Sequence, residues 1–248
     1  MGGAICRGLA GSGIEITVSN RGADKLHALE GLTDVTCTTD NLAAIKSTPD
    51  IIILAVKPHL VPDILRNLAP HIDFSRTTVA SLAATISIDE IKSIIKPWTD
   101  KASIIRIMPN TGIRNRCSMT FICHNRAASE TAEKTCTLFK TLGDAAVIEE
   151  RLFPAATALC SCGIAYALRY IRAATEGAVE LGIRPDDATA YILETLKGAI
   201  SLLMQQGTHP ETEIDKVTTA GGVTIRGLNT MEQNGFSKSV IAGLKASV

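Results

Sequence analysis

The strongest constraint on the fold of this chain is a change in its apolar pattern near residue 150. Before it, short β-branched runs alternate with helical stretches, which is typical of a parallel sheet with crossover helices. The predicted strands are 15–19, 35–38, 51–56, 77–81, 103–108, 119–123 and 145–148, and the predicted helices include 24–30 and 129–142. Because the 51–56 run is apolar on both faces, we expect it to be a central strand.

After the change, Ala/Leu-rich segments predict helices only, at about 152–181 and 185–206 and on both sides of Asn234-Gly235, with a loop near 217–223. We therefore predict an α/β chain with a Rossmann-like doubly wound domain at 1–150 and an all-α domain at 151–248. The first two helices are apolar on more than one face, and so small a region cannot cover them itself. A homodimer or a larger homo-oligomer is expected.

Composition narrows the function classes. The chain has 25 basic and 25 acidic residues, so no overall field attracts nucleic acid or an anionic membrane, and 4% aromatic residues argue against base stacking. The uncharged run 155–168 is shorter than the roughly 20 residues of a membrane span, and we interpret it as a buried core helix. Seven scattered cysteines indicate neither a disulfide framework nor a metal site, which favours reduced thiols and a cytoplasmic location. A small-molecule partner is expected.

The chain opens with Met1-Gly2-Gly3, which looks like the end of the glycine-rich turn of a dinucleotide-binding fold, without the strand before it. A glycine-rich start to an ordinary helix is the alternative. In the usual strand order the absent strand is central, so we expect a gap between strands 15–19 and 51–56. We expect that the natural protein begins upstream of Met1; otherwise the cofactor site would be damaged.

Polar residues follow several predicted strands. Arg21 ends the second strand of the usual fold, where an arginine rather than an acidic residue suits the 2′-phosphate of NADPH, with NADH possible; a solvated turn residue is the alternative. Lys57 follows the most apolar strand and could contact phosphate or ribose oxygens, or simply end that strand. His59 begins a helix after a proline, which does not favour a catalytic role. Asn110 and Thr111 offer amide and hydroxyl groups at the same edge.

Together these motifs resemble pyrroline-5-carboxylate reductase, in order and spacing, over essentially the whole chain. The matching segments are Ser19-Asn20-Arg21, Thr39-Asp40-Asn41, Ala55-Val56-Lys57-Pro58, 106–111, Ala165-Tyr166, His209-Pro210, 221–225 and Gly235-Phe236. The resemblance implies reduction of 1-pyrroline-5-carboxylate to L-proline by hydride transfer from NAD(P)H, the last step of proline biosynthesis. It also implies a homodimer or a higher assembly such as a decamer.

The resemblance further implies two sets of site residues. The cofactor set is Met1, Gly2, Ser19, Asn20, Arg21, Asn41, Ala55, Val56, Lys57, Pro58, Leu82, Ala83, Ala84 and Asn110. The substrate set is Cys162, Gly221, Gly222, Val223 and Thr224, with Thr224 as the candidate catalytic residue and no metal.

Physical chemistry supports the segment 221–224 independently. Gly221 and Gly222 let the backbone curl with its amides exposed before a helix begins at Val223-Thr224, so a carboxylate can bind there. Thr224 could cap that helix, hydrogen-bond the ring nitrogen of the substrate, or do both.

The chain departs from the family's Ser-Gly-Ser-Gly-Pro-Ala-Tyr at residues 160–166, which read Cys-Ser-Cys-Gly-Ile-Ala-Tyr. A thiol at Cys162 is a weaker hydrogen-bond partner than a hydroxyl, so substrate affinity or specificity is expected to differ. Cys160 and Cys162 could be a redox pair, but buried structural thiols are favoured. The alternatives are a non-catalytic or altered-specificity relative that binds nucleotide, and another imine or hydroxyacid reductase of the same architecture.

Overall fold

A computed structural model describes residues 1–248, except for the side chain of residue 206. The chain divides into two compact units, Met1–Ser161 and Cys162–Val248. The boundary near residue 150 that the pattern predicts stays a prediction.

The first unit alternates strands and helices, as expected from the sequence. Its elements are α1 (Gly2–Leu9), β1 (Ile16–Ser19), α2 (Asp24–His27), β2 (Val35–Thr38), α3 (Asn41–Ile45), β3 (Ile51–Leu54), α4 (Val61–Leu68), β4 (Thr78–Ser81), α5 (Ile88–Ile95), β5 (Ile104–Met108), β6 (Ser118–His124), α6 (Ser129–Lys140), β7 (Gly143–Val147) and α7 (Phe153–Ala156). Short 3₁₀ turns at Pro58–Leu60, Ala69–His71, Thr111–Asn115, Arg126–Ala128 and Glu150–Leu152 join some of them. A π-helical segment, Thr157–Cys162, crosses the boundary between the units.

The strands form two separate ladders. β1 pairs in parallel with β2, and the other five strands follow the order β3-β4-β5-β6-β7. Pairing is parallel except between β5 and β6, which only a short 3₁₀ turn connects. No ladder joins β1 to β3 in the described part of the chain, so the expected gap is present.

The prediction that 51–56 is a central strand is wrong. β3 ends at Leu54 and lies at the end of the five-stranded ladder, paired with β4 alone. Its apolar composition reflects cover by helices on both faces and does not report a second neighbouring strand.

The core of the first unit lies on both faces of the five-stranded sheet. Successive side chains of β5 alternate between them: Ile104 and Met108 face the cluster built with α4 and α5, and Ile105 and Ile107 face the cluster built with α1 and α6. Arg106 lies on the same face of the strand as Ile104 and Met108, and it is only 6% exposed.

The second unit is all helical. It contains α8 (Gly163–Glu180), α9 (Pro185–Gln206), α10 (Pro210–Val217), α11 (Val223–Gln233) and α12 (Phe236–Lys245). The sequence pattern missed α10, which begins with Pro210 at its first position, where proline needs no hydrogen-bond partner. Tyr166 links α8 to α12 by donating a hydrogen bond to the Gly243 carbonyl at 3.3 Å.

The expected buried core helix, 155–168, is mostly exposed or half-buried within this chain, and Ala158 is its one buried residue in the described set. α8 has no buried residue within the described part of the molecule, and Leu168 is 59% exposed. The continuous helical run Glu150–Glu180 contains an 18-residue window with a mean hydropathy of 1.3, so it is long and apolar enough to cross a membrane by length and composition alone. One such helix is weak evidence, and the expected absence of a membrane partner stays a prediction.

Candidate functional site

The first helix presents free backbone amides beside the end of β3. Met1 is the N-cap of α1 and makes no side-chain cap bond, while its carbonyl accepts from the amides of Ala4 and Ile5 at 2.9 and 3.1 Å. A Cβ atom on Gly2 would lie 2.8 Å from the Cβ of Ala55. Glycine therefore allows the helix N-terminus to approach the strand end, which is the geometry that holds a pyrophosphate.

Ser19 and Asn41, which are 22 positions apart in sequence, come together where β1 and β2 end. The Ser19 hydroxyl donates to Asn41 Oδ1 at 2.6 Å, and the Asp40 side chain caps α3 by accepting from the Leu42 amide at 2.8 Å. Asn20 Nδ2 donates to the Gly22 carbonyl at 2.6 Å and so orders the turn that carries Arg21.

Arg21 itself is exposed, and no salt bridge engages it among the described residues. Its guanidinium is therefore available to a phosphate at this edge, as the prediction for NADPH requires.

The loops after β3 and β4 are fastened to each other. The Leu82 amide donates to the Leu54 carbonyl at 3.1 Å, and the Ala83 amide donates to Ser81 Oγ at 3.1 Å. Lys57 is exposed at the start of the Pro58–Leu60 turn. The predicted cofactor segments 55–58 and 82–84 thus follow the carboxyl ends of adjacent parallel strands, where ligands of such sheets bind.

Asn110 is 7% exposed and its side chain holds the local backbone in place. Its Oδ1 accepts from the Gly112 amide at 2.9 Å, and its Nδ2 donates to the Cys160 carbonyl at 3.3 Å. The side-chain amide of Asn110 therefore stabilises the turn after β5 and hydrogen-bonds a backbone carbonyl of the π-helical segment. A direct contact between Asn110 and the cofactor stays a prediction.

Sequence reasoning missed an ion pair, formed by a buried arginine and a half-buried glutamate, next to the predicted cofactor loop. Arg106 Nη1 donates to Glu150 Oε1 at 2.8 Å, and its Nη2 donates to the Ala84 carbonyl at 2.6 Å. The signal was present in the sequence, because a charged residue inside a strand of isoleucines must find a partner when the strand is buried.

The second unit carries the predicted substrate residues. Gly221 has a φ of +70°, and Gly222 is the N-cap of α11, which starts at Val223. A side chain at Gly222 would collide with Thr219 Oγ1, at 2.5 Å. The glycine pair therefore forms the turn that leaves the helix N-terminus open to a carboxylate.

Thr224 does not cap α11. The cap position is Gly222, two residues earlier, and no side chain closes that end of the helix within the described residues. Thr224 is exposed, and its hydroxyl has no hydrogen bond in the described part of the chain. Of the two roles the sequence leaves open, a ligand contact is therefore the one still available to it.

Cys162 ends the π-helical segment and is the N-cap residue of α8. Both Cys160 and Cys162 are free and half-buried, where fully buried thiols were expected. Burial raises the pKa of the Cys160 thiol, which disfavours the reactive thiolate at neutral pH. No group of three or more potential metal ligands occurs among the described residues.

Comparison with known proteins gives the same assignment for both units. A family model described as pyrroline-5-carboxylate reductase dimerisation matches residues 150–248, and one described as NADP oxidoreductase, coenzyme F420-dependent, matches residues 1–85. Pyrroline-5-carboxylate reductase 2 of Dictyostelium discoideum is 36% identical over all of this chain and 87% of its own length. Pyrroline-5-carboxylate reductase 2 of Bacillus subtilis is 33% identical over 97% of this chain and 87% of its own.

Solved structures agree. A pyrroline-5-carboxylate reductase from Coxiella burnetii superposes with a TM-score of 0.88 at 25% identity, covering 98% of this chain and 91% of its own. The Plasmodium falciparum pyrroline carboxylate reductase with NADP bound shares the fold, with a TM-score of 0.86 at 24% identity over 100% of this chain and 91% of its own. Because the Dictyostelium relative is 36% identical over the whole of this chain, the chain belongs to the pyrroline-5-carboxylate reductase family.

Proposed function

We propose that this protein reduces 1-pyrroline-5-carboxylate to L-proline with NADPH as the preferred reductant. The observation that carries the proposal is the match, over the entire chain, to a relative named pyrroline-5-carboxylate reductase. The predicted cofactor residues all lie in the first unit, and the predicted substrate residues all lie in the second.

NADPH supplies the hydride when it is bound, and the chain's own residues bind and orient the reactants. The open amides of α1 would hold the pyrophosphate, and Arg21 would take the 2′-phosphate. Segments 55–58 and 82–84 would line the remainder of the groove. In the second unit, the open N-terminus of α11 would hold the substrate carboxylate.

Thr224 is the group we assign to the ring nitrogen of the substrate. A hydroxyl at the second position of α11 can donate or accept, so it can orient an imine and the amine product alike. Its role is to place the ring carbon in line for transfer, since orientation supplies much of the rate in such reactions.

The matched dimerisation region makes the protein a homo-oligomer. We propose a dimer built through the helical region, with a decamer as the higher assembly, and a cytoplasmic location. Static light scattering of the purified protein measures the assembly, and a monomer at working concentration would exclude both forms.

The direct test of function is loss of NADPH absorbance on addition of 1-pyrroline-5-carboxylate, with proline identified among the products. Two parallel reactions, one with NADH and one with NADPH and an acyclic oxoacid, act as controls. NADPH binding without proline formation would favour a non-catalytic relative, and reduction of the oxoacid alone to its hydroxyacid would favour a different reductase of the same architecture.

A further inference from the structure

Arg106 is a buried cation held from three directions. Besides its bonds to Glu150 and to the Ala84 carbonyl, its guanidinium carbon lies 4.5 Å from the centroid of the Phe153 ring. Its Nε is buried and has no acceptor among the described residues. The two terminal nitrogens of the guanidinium therefore donate to two separate acceptors, Glu150 and the Ala84 carbonyl. The Phe153 ring lies beneath the guanidinium in a cation–π contact.

Glu150 joins that cation to the start of α5. The same Oε1 atom that accepts from Arg106 also accepts from the amide of Ile88, the first residue of the helix, at 2.8 Å. This places a negative charge at the positive end of α5. Ser87 and Glu90 complete that end as a capping box, so the segment between β4 and α5 is held at both ends.

Cys123 does not compete for the cation. It lies opposite Arg106 on β6, and burial raises its pKa to about 12, so it is neutral at physiological pH. Glu150 is the carboxylate in direct contact with the guanidinium, and its side chain is 34% exposed against 7% for that of Arg106.

We propose that Arg106 and Glu150 are positioning residues for NADPH, a role that rests on the proposed function. Ala84 is the last residue of the predicted cofactor segment 82–84, and Arg106 draws its carbonyl into the interior. With the Leu82 and Ala83 amides already bonded, this third bond fixes the path of the segment. Glu150 then holds both Arg106 and the amide of Ile88 four residues beyond.

Stability alone does not account for such a pair. Burying the Arg106 guanidinium costs desolvation that its attraction to a half-buried carboxylate often fails to repay, so an apolar residue of similar size can be as stable there. The pair instead fixes the orientation of the Ala84 carbonyl relative to Glu150, because a planar guanidinium donates to two acceptors at fixed angles. A lysine keeps the charge but presents one compact ammonium, which is not shaped to hold the Ala84 carbonyl and Glu150 together.

The test compares Arg106→Lys and Glu150→Gln with Glu149→Gln, a matched control that removes the charge of the neighbouring carboxylate, which pairs with Arg151 at the surface. We expect each of the first two to raise the Kd for NADPH, measured by fluorescence titration, by roughly tenfold. The KM for 1-pyrroline-5-carboxylate should change less than about twofold, since that substrate is assigned to other residues. Amide exchange in residues 82–88 should become faster in both variants and stay unchanged in the control.

Wild-type affinity for NADPH in Arg106→Lys and in Glu150→Gln would overturn the proposal, and so would an equal rise of Kd in Glu149→Gln. The double variant should cost less than the sum of the two single changes, because both act on one network. Binding of NADPH by the unmodified protein without proline formation would refute the proposed function and leave the titration decisive for this inference.

Discussion

The two units of this molecule differ in how they are stabilised. Residues 1–161 bury an apolar core on both faces of a sheet, with Phe139, Ile104 and Val79 fully inaccessible. In residues 162–248, Ala188 is the buried hydrophobic residue of the described set, while Leu181 and Met204 are more than four-fifths exposed. A sheet covered by helices is a complete core, whereas a few helices side by side leave apolar faces uncovered. The helical region matches a dimerisation model, which supports the expectation that a second copy covers them.

The largest effect is expected in the core of the first unit. Phe139→Ala removes a fully buried ring and should lower the free energy of unfolding by about 3–5 kcal/mol, measured by denaturant titration. If the loss were below about 1 kcal/mol, this core would not be what holds the first unit together.

A charge on the exposed apolar face of the second unit should break the assembly. Leu168→Asp would place a carboxylate in an apolar contact, and we expect the dimer dissociation constant to rise by more than about 100-fold. The matched control is Leu60→Asp, because Leu60 is a similarly exposed leucine, at 41%, outside the dimerisation match. Light scattering that finds both variants assembled would place Leu168 outside the interface.

Arg21→Ala tests the proposed cofactor site in the first unit. Loss of charge-assisted bonds to the 2′-phosphate should raise the KM for NADPH roughly 10- to 100-fold and leave that for NADH nearly unchanged. Equal effects on the two cofactors would refute the 2′-phosphate assignment.

Thr224→Ala tests the proposed substrate site in the second unit. Without the hydroxyl, kcat/KM for 1-pyrroline-5-carboxylate should fall about tenfold, while the Kd for NADPH stays at its wild-type value. Thr224→Ser, which keeps the hydroxyl, is the control and should retain most activity. An unchanged kcat/KM in the alanine variant would remove Thr224 from the site.

The smallest effect is expected at Cys162. Cys162→Ser restores the hydroxyl of the family pattern and should lower the KM for the substrate by roughly two- to fivefold, since a hydroxyl bonds better than a thiol. Steady-state kinetics at saturating NADPH measure the change. A higher KM would show that the thiol suits this chain's own pocket.

The strands follow from local pattern, and all seven predicted strands lie within two residues of the observed bounds. The resemblance assigns both groups of site residues from short motifs at strand ends and before helices, and those assignments stay predictions. The sequence alone also predicted the gap between β1 and β3, since strand order in this fold is regular.

Tertiary structure alone decided the rest. It placed β3 at the end of a ladder, made Gly222 rather than Thr224 the cap of α11, and joined Arg106 to Glu150 across 44 positions of sequence. Periodicity reports which side chains avoid water, not which partner they meet. A pairing between distant residues depends on the path of the whole chain, and so does the exposure of an apolar helix.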